Sequence, residues 1–330
     1  MLKFLVFADL HYKKGMYAAS VEHLVSILDR AAEEKVDFVV HMGDFCNDYL
    51  GSPELTKAWI QNRHDLPVYG IYGNHELETR GNTMKVVTPL LCNREVCFAA
   101  PGVGYWYTDI NGYRLIGLDT NYSYNSELEQ WEHNREASWG APAGNTLDHS
   151  LSPRQLQWLE EVLAETAAQC KKAVVLSHAA LSDLWYSSPD APAVRALFAK
   201  YKDTVILSIN GHLHTDHFAV RDGIAYFDVN AAINGFWAVR SEDHYADCHT
   251  YMFTDYDEQG VSTGTREVPL NTLRQGKNTW FFDAPLSAVV TVTEQGTVQI
   301  DGSTTTWMHS VVPENLPEVC RPYITSQRLR

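Results

Sequence analysis

The 330-residue chain carries 26 Lys and Arg against 41 Asp and Glu, a formal net charge of −15. That balance disfavours non-specific binding to a nucleic-acid backbone, which needs basic groups to displace counterions. Hydrophobic residues make up 45% and charged residues 20% of the chain, as in an ordinary globular protein long enough for one elaborated domain or a domain plus an appendage. No apolar run reaches the roughly 18–20 residues of a membrane span, so no membrane association is expected. The apolar segment 1–8 is short and is cut by Asp9, which suits a buried strand better than a signal peptide. Cys46, Cys92, Cys97, Cys170, Cys248 and Cys320 show neither paired metal spacing nor a dense framework. They read as small hydrophobes in a reducing compartment, which points to the cytoplasm.

In chain order, 2–8 is a continuous apolar run broken only by Lys3, the pattern of a strand covered on both faces. From Tyr17 to Glu34 the residues Val21, Leu24, Val25, Leu28 and Ala32 recur at helical spacing. A strand over 36–42, a helix over 53–62 and a strand over 67–72 follow. Short strands are expected near 96–100 and 105–109, and another over 113–118. Ser152 with Gln155 has the spacing of a capping box, with Pro153 at the first helical position and Leu156, Leu159 and Leu163 behind it. Strands at 173–176 and 205–209 enclose a helix near 191–201. This alternation predicts an α/β layered fold and, taken alone, a single doubly wound sheet.

After about Arg240 the pattern changes to short segments rich in aromatic and β-branched residues, at 250–255, 279–282, 288–293 and 297–300, with turn signals between them. The expected division is therefore 1–240 and a β-rich extension over 241–330, which either folds separately or packs on the first part. The segment 121–150, with Tyr122, Tyr124, Trp131, His133 and Trp139, fits neither pattern. It reads as a lid or binding loop, or as a surface excursion whose aromatics pack back.

Five segments carry chemistry: Asp9-Leu10-His11, Gly43-Asp44, Gly73-Asn74-His75-Glu76, Ser177-His178 and Gly211-His212-Leu213-His214. Each follows an expected strand, and in open α/β sheets ligands bind beyond the carboxyl ends of strands. Carboxylate, imidazole and amide oxygen suit Mn, Fe or Zn, and the absence of a cysteine among them argues against a structural zinc site. Two metals roughly 3.5–4 Å apart clamp the attacking and leaving oxygens of an in-line displacement. Gly43, Gly73 and Gly211 precede ligands where tight turns are needed.

The ordered set resembles the calcineurin-like metallophosphoesterase superfamily over about residues 1–235. That resemblance implies a four-layer α/β/β/α sandwich of two mixed sheets flanked by helices, in place of a single sheet. It implies one metal held by Asp9, His11, Asp44 and His214 and a second held by Asp44, Asn74, His178 and His212. Asp44 would bridge the two ions and a hydroxide shared between them would be the nucleophile. His75 corresponds to the histidine that contacts the phosphate and protonates the leaving group, and Glu76 to an acidic residue that orients it. Purple acid phosphatases of the superfamily carry a tyrosine where this chain has Asn47 and lack a histidine at the place of His11, so a tyrosine-liganded ferric site is not expected. Asp48 receives no ligand role.

The remaining candidates have plainer readings. His217 is expected to be a satisfied surface histidine and His41 a core-edge histidine. Tyr12, Lys13 and Lys14 read as solvated loop residues. Arg80 is near enough to His75 in sequence to clamp phosphate, with Asn74 and His75 as further substrate contacts. Phe236 and Trp237 could wall a base but suit core packing better. The expected function is dinuclear-metal-dependent hydrolysis of a small phosphodiester or phosphomonoester, of nucleotide or glycerophosphodiester type. A metal-dependent nuclease is the rival enzyme within the superfamily, and a protein with the fold but no catalysis, a metal-binding scaffold, is the rival from another functional class.

Overall fold

Strand β1 (Leu2–Phe7) shows how the layers are built. Its Phe4 and Val6 face a core shared with Leu115, Val174, Leu176, Leu207 and Ile209 of other strands. Its Leu5 and Phe7 face the opposite way, onto Leu24, Ile27, Leu28, Leu55 and Trp59 of two helices. A strand that is apolar on both faces thus has a sheet on one side and helices on the other.

The structure, a computed structural model, describes residues 1–14, 18–77, 82, 84–126, 129–133, 149–184, 187–235, 245, 250–257, 261–272, 279–293, 295–313 and 316–329. After β1 come α1 (Val21–Glu33), β2 (Phe38–His41), α2 (Pro53–Asn62), β3 (Val68–Gly70) and α3 (Met84–Leu91). Then follow β4 (Cys97–Phe98), β5 (Trp106–Ile110), β6 (Tyr113–Gly117), β7 (Tyr122–Asn125) and β8 (Gln130–His133). Next are α4 (Pro153–Ala168), β9 (Lys172–Ser177), α5 (Ala191–Lys200), β10 (Val205–Asn210), β11 (His217–Arg221) and β12 (Ile224–Asp228). The last strands are β13 (Tyr251–Tyr256), β14 (Ser262–Val268), β15 (Ala288–Val292), β16 (Val298–Asp301) and β17 (Gln327–Leu329).

One sheet has the order β17-β16-β15-β1-β2-β3 and the other β11-β12-β10-β9-β6-β5-β4. The pairs β1/β2 and β2/β3 are parallel, as are β6/β9, β9/β10 and β10/β12. The first sheet is covered by α1, α2 and α3, and the second by α4 and α5, through Leu159, Leu163, Val194 and Phe198. The fold is therefore the four-layer α/β/β/α sandwich, and the single doubly wound sheet that alternation alone suggested is corrected. A strand buried on both faces has the same hydrophobic pattern whether its second face meets helices or a sheet.

From the 241–330 segment, β15 pairs antiparallel with β1, placing Val290 opposite Phe4, and β16 and β17 extend the same sheet. Strands β13 and β14 form a separate ribbon. The stretch expected as a strand at 279–282 makes only isolated bridges, Asn234 with Phe281 and Phe282 with Trp307. Within 121–150 the structure forms the hairpin β7–β8, pinned to the core by His133 Nε2 2.8 Å from the buried carboxylate of Asp119.

Helix α1 starts at Ser20, whose hydroxyl accepts from the His23 N–H while the Ser20 N–H donates to His23 Nδ1, both at 3.2 Å. At α4 the expected capping box is only half made. Ser152 Oγ accepts from the Gln155 N–H, but the Gln155 side chain bonds both the N–H and the carbonyl of Asp119 instead. Among the described residues no helix is long and apolar enough to cross a membrane.

Candidate metal centre

The turns that leave β1, β2, β3, β9 and β10 meet at one edge of the sandwich. Asp9 N–H donates to the Gly43 carbonyl at 3.2 Å, His11 N–H to the Asp44 carbonyl at 2.7 Å, and Gly211 N–H to the His178 carbonyl at 3.0 Å. A Cβ on Gly43 would lie 2.5 Å from the Gly73 nitrogen and 2.7 Å from His178 Nδ1, so only glycine permits this approach of the two sheets. Asp9, His11, Asp44, His212 and His214 all have φ between 49° and 71°. Left-handed backbone costs non-glycine residues about 1–2 kcal/mol each, and here it turns five side chains inward.

Those side chains, with Asn74, His75 and His178, converge. Asp44 Oδ2 lies 3.2 Å from His178 Nε2, 3.7 Å from His11 Nε2 and 3.9 Å from His75 Nε2. His214 Nε2 is 3.0 Å from His11 Nε2 and 3.5 Å from Asp9 Oδ1. Asn74 Oδ1 is 3.2 Å from His178 Nε2. Among the described residues, three groups have potential ligand atoms within 4.8 Å of one another: Asp9, His11 and His214; His11, Asp44 and His75; Asp44, His178 and His212.

The protonation pattern fits a cation. His178 Nδ1 faces the Met42 carbonyl at 2.7 Å. A carbonyl only accepts, so the ring carries a proton there and turns Nε2 toward Asp44 and Asn74. Without a metal ion, a proton on Nε2 occupies that place between the ring and the carboxylates. Although burial opposes its charged form, Asp44 and Asp9 raise His178 to about 10. Burial pushes His11 down, with the neighbouring His75 adding to it, and does the same to His212 beside His149. Against its own burial, Asp44 is held well below the usual carboxylate range by His178 and His75. Carboxylates, imidazoles and one amide oxygen in this packing are a donor set for two divalent ions.

A family model described as calcineurin-like phosphoesterase matches residues 2–216. The chain belongs to that family. Its members are hydrolases acting on phosphoester bonds, and the family implies divalent metal ions at this centre. A dimetal phosphatase from Danio rerio shares the fold, with a TM-score of 0.55 and 14% identity over 91% of this chain and 95% of that one. A sphingomyelinase phosphodiesterase C from Dictyostelium discoideum is 24% identical over 233 residues, 61% of this chain and 47% of the relative. The chain thus spans about half the length of that curated relative.

Within this calcineurin-like centre one expectation needs correction. The carboxylate of Glu76, expected to orient His75, is spent on the backbone. Its Oε2 accepts from the N–H groups of Gly73 (2.6 Å) and Asp44 (2.7 Å). Its Oε1 accepts from Phe45 at 2.7 Å and from the Tyr49 hydroxyl at 3.2 Å. Glu76 therefore ties the β3 turn to the β2 turn. Burial and the nearby Asp44 push it up to about 7, against the pull of the Gly73 and Phe45 N–H groups. The group beside His75 is instead Asn47, whose Nδ2 lies 2.8 Å from His75 Nδ1.

Arg80, Phe236 and Trp237 lie outside the described residues. His217 is half-buried and its Nδ1 is 2.8 Å from Asp228. His41 is buried among Phe7, Phe45 and Trp59 and is lowered to about 3 by that burial. Sequence reasoning missed His149, whose ring lies against that of His212, with centroids 4.3 Å apart and planes tilted by 57°. It follows no apolar run, so nothing in the pattern marked it.

Proposed function

We propose that this chain hydrolyses a small phosphodiester or phosphomonoester, of nucleotide or glycerophosphodiester type, at a centre of two metal ions. The observation that carries the reading is the convergence on Asp44, whose Oδ2 has His178, His11 and His75 within 3.2 to 3.9 Å. Asp9, His11, Asp44 and His214 would hold one ion, and Asp44, Asn74, His178 and His212 the other. Such ions lower the pKa of water toward neutrality and offset charge on the phosphoryl oxygens.

The residues around them do the rest. With Asn47 Nδ2 donating to Nδ1, the neutral His75 ring carries its proton on Nε2, the edge that faces the centre. That proton is available to a departing alkoxide. The Asp44 carboxylate is fixed by the His75 N–H on Oδ1 at 2.8 Å, which leaves Oδ2 for the centre. The Asp9 carboxylate is held by the His212 N–H, which is shared between Oδ1 at 3.2 Å and Oδ2 at 3.0 Å. The name of the Dictyostelium relative, a phosphodiesterase, supports the diester branch. The net charge of −15 counts against a nuclease.

Mn-loaded protein should be assayed against bis(p-nitrophenyl) phosphate, p-nitrophenyl phosphate, cyclic nucleotides and glycerophosphodiesters. Turnover of at least one, lost in Asp44→Asn, is the expected result. No turnover of any of them, under Mn, Fe or Zn, would favour the scaffold reading.

A further inference from the structure

The two strands of the hairpin β7–β8 carry all their rings on one face. Tyr122 lies opposite His133 and Tyr124 opposite Trp131. Direct cross-strand partners share a face, as do residues two apart along a strand. The four rings therefore form one stripe, with centroids 4.9 Å apart in the first pair and 5.7 Å apart in the second. The other face is polar, and there Asn125 Nδ2 and Gln130 Nε2 both donate to Glu132, at 3.0 and 2.8 Å. The two ends of the stripe differ. His133 turns inward toward Tyr72 and the buried Asp119. At the outer end Tyr124 is 49% and Trp131 37% exposed.

Three bonds place the root of this hairpin beside three donors of the centre. Thr120 Oγ1 accepts from the N–H of Ala179, the neighbour of His178, at 3.2 Å. Asn121 Nδ2 reaches the carbonyl of Tyr72, two residues before Asn74, at 3.5 Å. Tyr122 and Ser150 exchange both of their backbone hydrogen bonds, and the preceding His149 lies against His212. Asn74, His178 and His212 are the residues that, with Asp44, would hold the second ion. The aromatic stripe thus starts at that side of the rim. Its exposed pair stands two residues further out, about 7 Å along the strands.

Resting on the phosphoesterase reading above, we propose that Tyr124 and Trp131 form a shelf on which the planar base of a nucleotide-type substrate stacks while its phosphate lies at the metal centre. The chemistry of the hairpin selects that class. Aromatic faces hold a flat π-system by stacking. Neither strand, Tyr-Ser-Tyr-Asn or Gln-Trp-Glu-His, offers an aliphatic side chain to an acyl group. Glu129, Glu132 and the net charge of −15 disfavour an anionic lipid surface. With the hairpin pinned by the Asp119–His133 pair and by Ser150, stacking is not offset by the cost of ordering a loop. A nucleotide is thereby favoured over a glycerophosphodiester, which has no ring to place there.

The test compares wild type, Trp131→Ala, Tyr124→Ala and Trp131→Phe, all Mn-loaded. Calorimetry reads binding of AMP and of ribose 5-phosphate, which differs from it only in lacking the base; where either is turned over, KM is read in its place. Wild type should bind AMP about tenfold more tightly than ribose 5-phosphate, the effect of stacking one base. Trp131→Ala and Tyr124→Ala should lose most of that preference while ribose 5-phosphate affinity and melting temperature hold, and Trp131→Phe should keep much of it. Equal binding of the two ligands by wild type, or an undiminished preference in both alanine variants, would overturn the proposal. So would an equal loss for both ligands, which would make the pair a prop for the hairpin alone. Trp131-dependent binding to phosphatidylcholine vesicles without an AMP preference would replace the base with a lipid surface. A wild type that hydrolyses no phosphoester but prefers AMP through Trp131 would refute the phosphoesterase reading and keep the shelf. Hydrolysis without any AMP preference would do the reverse.

Discussion

Asn47 Nδ2 lies 2.8 Å from His75 Nδ1. The Asn47 backbone is itself held, its N–H by the Tyr12 carbonyl at 2.9 Å and its carbonyl by Asn82 Nδ2 at 3.1 Å. The amide thereby selects the tautomer of His75 that presents Nε2–H to the centre. Asn47→Ala should lower kcat about tenfold, or ~1.4 kcal/mol in the barrier. KM and metal content should move little. Steady-state kinetics on an aryl phosphodiester checks this, and an unchanged kcat would remove Asn47 from the account.

Glu76 has a different job, and its variant should fail differently. In Glu76→Gln one carboxylate oxygen becomes an NH2 group that faces backbone N–H donors now served by Oε1 and Oε2. Leaving buried donors unpaired costs roughly 1–3 kcal/mol. Urea unfolding should show a loss of that order, with weaker metal retention because the Asp44 turn loosens. A variant of native stability with only kcat reduced would instead return Glu76 to the role of orienting His75.

The cap of α1 predicts a pH effect remote from the centre. Burial lowers His23 from its ordinary value to about 4, although Glu22 and Asp283 oppose this. Its Nδ1 accepts the Ser20 N–H, which requires the unprotonated ring. Above about pH 6.5 His23 is neutral in both folded and unfolded chains, and its contribution is complete. Between about 6.5 and 4 the unfolded chain takes up a proton that the folded chain refuses, so stability falls as pH falls. For a half-buried ring the loss should be on the order of 1 kcal/mol. His23→Gln keeps an acceptor for the cap and should lose less between pH 7.5 and 5 in urea unfolding. Parallel losses in the two proteins would exclude His23 as the source.

The sequence made the convergence of the candidate metal donors legible because each closes an apolar run, and runs of that kind end at one edge of a sheet. Asp9 after β1 and His178 after β9 needed nothing more. The second sheet was not legible from periodicity, since Val6 and Leu176 would be equally apolar under a helix. Nor was the use of Glu76. A Glu after Asn-His has the same letters whether it serves a ring or the backbone N–H groups of Gly73 and Asp44. His149 was hidden for the opposite reason, because its position depends on tertiary bonds from Tyr122 and Asp190. At Ser152 the local signal named the cap correctly, but the Gln155 side chain was drawn away by Asp119, a partner 36 residues distant.

The central claim is that Asp44 joins two metal ions, and metal stoichiometry tests it most directly. Protein loaded with Mn and freed of excess by gel filtration should carry two ions per chain by elemental analysis. Chelation should remove them together with all phosphoesterase activity, and re-addition should restore it. Asp44→Asn should retain fewer than one ion per chain. One ion per wild-type chain, or two in Asp44→Asn, would contradict the account.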